Sequence, residues 1–110
     1  MVKGRHGPAA ALLRRHLRAL AHALRPIVQI GKSGLDAGLV AAVDRALADH
    51  ELVKVKVGES AGLQRHAAAD ELASQTKSEV AQVLGNVVVL YRADPDQPKI
   101  FAAGNFDSRS

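Results

Sequence analysis

Cysteine and tryptophan are absent from the 110 residues, and two phenylalanines and one tyrosine are the only other large aromatics. Without cysteine there is no disulfide, zinc–thiolate site or thiol nucleophile, and a reducing, cytoplasmic home is the simpler expectation. An aromatic content of 3% argues against a platform that stacks several bases. Long hydrophobic runs are missing too. Val87 to Tyr91 is typical of the longest, far short of the roughly 18–20 residues that cross a bilayer. The last absence is local: residues 1–35 contain no Asp or Glu.

Those first 35 residues hold Lys3, Arg5, Arg14, Arg15, Arg18, Arg25 and Lys32, so the net charge of +4 divides into a +7 segment and a −3 remainder. Such an asymmetry points to a polyanionic partner. An Arg-rich, acid-free amphipathic start also resembles a mitochondrial transit peptide. The stretch is poor in serine, however, and runs without a spacer into a strand at Ile27, so it reads as part of the domain. With 47% hydrophobic and 24% charged residues, the chain has the length and composition of one globular domain.

The periodicities predict three helices and four strands. Pro8 suits a first helical position, and Leu13, Leu17, Leu20 and Leu24 recur at helical spacing, giving one apolar stripe on a helix that ends before Pro26. On that wheel Arg14, Arg18 and Arg25 fall within about 40° of one another, roughly 130° from the leucines, with His22 and Arg15 adjoining. Ile27 to Ile30 reads as a strand. Asp36 is a good N-cap for a helix carrying Leu39, Val40, Val43 and Leu47 inward. Leu52 to Val57 alternates, with three valines on the core side and Lys54 and Lys56 on the other. Ser60 is the expected cap of a third helix that runs to about Thr76 and buries Leu63, Ala67 and Leu72. Glu79–Leu84 and Val87–Arg92 form a hairpin at Gly85-Asn86. The fold class is α/β, in the order α-β-α-β-α-β-β, with a mixed four-stranded sheet packed by helices. Residues 1–7 are expected as a basic extension, 8–92 as the domain, and 93–110 as a flexible tail.

Gly31-Lys32-Ser33-Gly34 lies between the first strand and the second helix, where two glycines, a lysine and a helix start suit a phosphate. An ordinary turn needing positive φ would use the same residues. The acid-free helix before it tips the balance toward a ligand. The nucleotide P-loop is excluded by spacing, because its first glycine would fall at Pro26. The serine-hydrolase elbow is excluded as well, since the second glycine comes one residue early.

Elsewhere the signals are weaker. Lys54 and Lys56 either extend the basic surface or blunt a sheet edge, the second slightly favoured. His66 and Asp70, four apart on the third helix, lack a third metal ligand in view. His16 and His22 read as phosphate or surface groups on the basic helix. Asp44, Asp49 and Glu51 read as exposed charge, and Tyr91 as a packing residue. No nucleophile, base and orienter set emerges, so no catalytic residue and no cofactor is expected.

Three blocks, Leu17 to Leu35, His50 to Val57 and Gly85 to Arg92, resemble the CRM domain (chloroplast RNA splicing and ribosome maturation), in its stand-alone bacterial YhbY form. The resemblance covers roughly residues 10–92. It implies a fold similar to the C-terminal domain of bacterial initiation factor three, and a G-x-x-G loop, here Gly31 to Gly34, likened to the backbone clamp of KH domains. It further implies association with precursors of the large ribosomal subunit, while plant relatives act in intron splicing. Ala23 departs from an expected proline and Asp36 from a common threonine, and the added charge of Asp36 would slightly weaken phosphate contacts at the loop.

The combined expectation is an RNA-binding protein acting on large-subunit precursor rRNA, with Gly31, Lys32, Ser33, Gly34, Arg14, Arg18, His22, Arg25, Lys54 and Lys56 as contacts. No membrane and no small-molecule substrate is expected. Two rivals belong to other classes. One is a membrane-surface protein that inserts the first helix, which burial of its four leucines would disfavour. The other is a small nuclease centred on His66 and Asp70.

Overall fold

The computed structural model describes residues 8–58, 64–98 and 100, with side chains from Arg14 onward. Its elements are α1 (Pro8–His22), β1 (Pro26–Ile30), α2 (Ala37–His50), β2 (Leu52–Val57), α3 (Arg65–Thr76), β3 (Glu79–Leu84) and β4 (Val87–Tyr91), in the expected order. The strands form one sheet, β1-β2-β4-β3. β1 and β2 are parallel across α2, whereas β4 is antiparallel to both β2 and β3. The sheet is therefore mixed.

Alternation in β2 decides the layering. Val53, Val55 and Val57 join Ile30, Val88 and Leu90 under Val43 and Leu47 of α2 and Ala69 and Leu72 of α3. Leu52 faces the opposite way, with Ala81 and Val89, against Leu17 and Ala21 of α1. Each fully buried Val or Leu contributes about 1.5–3 kcal/mol. The larger cluster, on the α2/α3 side, thus holds most of the hydrophobic stabilisation, and α1 is fastened by a smaller patch. A register shift between Val80 and Gln82 breaks the alternation of β3, so that Ala81 and Gln82 both serve the α1 side.

The stripe on α1 differs from expectation. Leu17 and Ala21 are buried, at 5% and 1% exposure, but Leu20 and Leu24 each remain 38% exposed. The helix stops at His22, where Ala23 and Leu24 donate three residues back, to the carbonyls of Leu20 (3.2 Å) and Ala21 (2.9 Å). This tighter closure, followed by a residue restricted by Pro26, carries Leu24 and Arg25 off the α-helical wheel. Leu13 lies outside the described side chains. In α3 the inward face is Ala68, Ala69, Leu72, Ala73 and Thr76, so Ala67 is exposed rather than buried. Ser60 and Leu63 lie outside the described residues.

The acids around the end of α2 are also not a simple exposed cluster. Glu51 is fully buried and accepts from the N–H groups of Asp94 (2.6 Å) and Ile100 (2.9 Å) through its two carboxylate oxygens. Asp44 accepts from the guanidinium of Arg92 at 2.7 Å, and the same Arg92 donates to the Thr76 carbonyl, clasping the end of β4 to α2 and α3. The segment expected as tail therefore begins with a stretch fastened to the domain at Asp94 and Ile100.

Candidate nucleic-acid interface

At the C-terminal end of β1, residues 31–34 form a turn closed by Gly34 N–H donating to the Gly31 carbonyl at 3.0 Å. Gly34 has φ +66°, which an L side chain adopts only under strain. Gly31 carries no such requirement, and a Cβ built at either position meets nothing within 4 Å. Both glycines leave open space above the turn, and Lys32 and Ser33 stand exposed at its tip. Asp36 caps α2 by accepting from Leu39 N–H at 2.8 Å. That amide of the helix start is thus occupied by the chain's own carboxylate, which places negative charge beside the loop.

Gly58 supports the turn from beneath. Its N–H donates to the Ile30 carbonyl at 3.0 Å, and a Cβ there would sit 2.9 Å from that same oxygen. The close approach of the two backbones fixes where the loop emerges. Nothing local in the sequence distinguishes Gly58 from a turn glycine.

The cations of α1 gather along one seam. A groove of about 520 Å³ runs between α1 and the sheet, with Arg15, Arg18, His22 and Lys54 along it and Gln82 and Val89 at its floor. Arg14 is exposed on the same helix, beside rather than in this groove. Arg15, which the helical wheel places only beside the Arg14–Arg18–Arg25 ridge, belongs to it because residues 15, 18 and 22 share a helical face. Arg25 does not line this groove; it borders a second one, across Lys54. Lys54 lines both, and its Nζ donates to the Leu24 carbonyl at 3.0 Å.

Lys56 follows Lys54 on the same strand face, about 7 Å along, and pairs with Gln29 of β1. From Gln29 the loop lysine Lys32 is three residues on, no more than about 11 Å away. The seam, Lys54, Lys56 and the Lys32 turn thus follow one another toward the same end of the sheet. Of the predicted residues, Arg18, His22 and Lys54 line one groove, Lys56 and Gly31–Gly34 continue the line, and Arg14 and Arg25 flank it. His66 and Asp70 are exposed on α3, which packs on the other face of the sheet. Among the described residues no group of three or more His, Cys, Asp or Glu is arranged to hold a metal, and no helix is long and apolar enough to cross a membrane.

A helix laid over one face of a mixed sheet, with cations along its seam, defines a small α/β domain with a basic groove on one face. The chain belongs to the CRS1/YhbY (CRM) domain family, whose model matches residues 13–92. It is similar to a Pseudomonas aeruginosa protein named "Probable RNA-binding protein", 35% identical over 86 residues, 78% of this chain and 83% of that one. A Haemophilus influenzae protein named "RNA-binding protein" is 38% identical over 76 residues, 69% of this chain and 77% of that one. The solution structure of a hypothetical protein from Staphylococcus aureus matches with a TM-score of 0.63 and 38% identity, covering 72% of this chain and 82% of the other.

Proposed function

We propose that this chain is a non-catalytic RNA-binding protein of the cytoplasm that acts in assembly or maturation of the large ribosomal subunit, on its precursor rRNA. The observation that carries the reading is the seam where Arg15, Arg18, His22 and Lys54 converge on one groove. Family membership and the RNA-binding names of the relatives support the same class of ligand. The choice of large-subunit precursors rests on the CRM resemblance.

Recognition in this reading is of the backbone. Arg15, Arg18, His22 and Lys54 hold phosphates along the groove, Lys56 carries the contact across the sheet, and the turn at Gly31–Gly34 takes a phosphate beside Lys32. Asp36 keeps the loop contact weaker than the seam. Few base-edge contacts accompany this, since among the described residues Gln82 is the one amide side chain lining the groove.

Crosslinking in cells, followed by sequencing of the attached RNA, tests the assignment. The expected product is large-subunit rRNA with unprocessed ends. Recovery of messenger or transfer RNA alone would contradict it, as would loss of all RNA signal at physiological salt.

A further inference from the structure

The basic groove between α1 and the sheet also has a side without charge. Across the sheet one row of paired residues runs Lys54, Val89, Gln82, and the next row on the same face runs Lys56, Val87, Leu84. Neighbouring strands lie about 4.8 Å apart and like-facing residues about 7 Å apart along a strand, so Gln82, Leu84, Val87 and Val89 are the four corners of one patch beside the cations. Its outer row is open to solvent: Leu84 is 66% exposed and Val87 is half-buried. None of the phosphate contacts proposed above uses it.

Gln82 reaches this patch only through the bulge in β3. In an uninterrupted strand, residue 82 would share the face of Val80, which packs with Val83 against the α2/α3 core. The register shift between Val80 and Gln82 turns Gln82 to the α1 side instead, and bulges are a recurrent device for re-aiming a side chain at a site. The side-chain amide delivered there makes no hydrogen bond among the described residues. Its donor and its acceptor both face the groove unused.

We infer that this patch receives the base of one unpaired RNA nucleotide, Gln82 reading the base edge while Arg15 and Arg18 hold the phosphate. The class of ligand rests on the RNA-binding reading; the base site and the need for an unpaired strand are added to it. The flat face of the base lies on the aliphatic side chains of Leu84 and Val87. Its edge meets the amide of Gln82, which matches adenine bidentately. A duplex cannot supply this contact, because pairing occupies the Watson–Crick edge and the A-form major groove is too deep and narrow for side chains. The groove, about 520 Å³, falls within the roughly 300–1,000 Å³ of small-ligand sites, which suits a single nucleotide rather than a stacked run.

Fluorescence anisotropy on the full chain tests the site, with oligoadenylate, oligocytidylate, oligouridylate and a blunt RNA duplex of equal length as probes. Single strands are expected to bind more tightly than the duplex, and oligoadenylate more tightly than the other two by about fivefold or more. Gln82→Met keeps the length of the side chain and removes both hydrogen-bonding groups. Gln82 is only partly buried, on an edge strand, so this variant should melt as wild type does. The difference among the single strands should vanish in it, while the salt dependence of binding, set by the phosphates, stays unchanged. Leu84→Ser should weaken the single strands and leave the duplex as it was. In nuclear magnetic resonance the side-chain NH2 signals of Gln82 should shift with oligoadenylate and stay in place with inorganic phosphate. Equal affinity of the wild type for all four probes, or an undiminished difference in Gln82→Met, with the salt dependence intact, overturns the base site and leaves backbone recognition standing. Failure to bind any of the probes overturns backbone recognition and the base site together.

Discussion

The ammonium of Lys54 donates to the main-chain oxygen of Leu24 at 3.0 Å, joining the middle of β2 to the connection between α1 and β1. One cation therefore holds the end of the basic helix against the sheet while lining the groove that Arg15, Arg18 and His22 share. Replacing Lys54 by Met keeps the aliphatic stem and removes the charge. Affinity for rRNA fragments is expected to fall about tenfold, roughly the 1.4 kcal/mol of one charge-assisted contact, with a melting temperature lowered by a few degrees. Filter binding and a thermal melt read the two effects separately.

The two loop glycines separate structure from contact. Gly34→Ala places a side chain at φ +66° and is expected to cost about 1 kcal/mol or somewhat more, a fall of roughly 4–8 °C in a domain of this size. Gly31→Asp meets nothing within 4 Å, so its melting temperature should stay within a degree or two. Its RNA affinity should drop several-fold, through an added negative charge where a phosphate sits. Equal affinity for Gly31→Asp and wild type would remove the loop from the interface.

Gly58→Ala is expected to destabilise by about 1–3 kcal/mol, because a Cβ there stands 2.9 Å from the Ile30 oxygen and backbone has to move. Denaturant unfolding measures it. The displaced β1 terminus also carries the turn, so affinity should fall with stability in this variant, unlike in Gly31→Asp.

Tyr91, half-buried on β4, has its phenol pKa raised from 10.0 to about 12, by burial first and then by the negative charges of Glu51 and Glu79. The folded state holds the proton more tightly than the unfolded one. Its contribution to stability is thus fully present below pH 10.0 and disappears as the pH rises toward about 12. The phenolate absorbance of this single tyrosine should titrate near pH 12 in the folded protein and near 10 after unfolding. Tyr91→Phe should flatten the alkaline loss of stability over that window.

Much of this architecture was legible because short-range rules dictate it. The alternation of Leu52–Val57 oriented both lysines, Asp36 marked the start of α2, and Gly85-Asn86 marked the hairpin, where Gly85 adopts φ +58°. What escaped depends on partners far away in sequence. Glu51 read as solvated because the groups it binds are backbone amides of residues 94 and 100, and an amide carries no side-chain signature. The leucine stripe of α1 misled because the α-helix ends at His22, before its periodicity does, and because small Ala21, not Leu20, sits where α1 lies against the sheet. α3 buries mainly alanines, whose weak hydrophobic contrast let the inward face be set at Ala67 when it falls at Ala68 and Ala69. At the candidate interface, the grouping of Arg18 and His22 on one helix was readable from charge and spacing, whereas Lys54 and Lys56, read as cover for a sheet edge, lie on β2, an interior strand between β1 and β4. Arg15 entered only once the sheet showed which side of α1 it faces.

The salt dependence of rRNA binding tests the central claim most directly. If the seam, Lys56 and Lys32 together neutralise about five phosphates, log affinity falls against log salt with a slope of roughly −3.5 to −4.5. The Arg15→Gln, Arg18→Gln variant should lower the magnitude of that slope by about 1.4–1.8. A slope near zero, or an unchanged slope in the double variant, would contradict recognition of the RNA backbone by this surface.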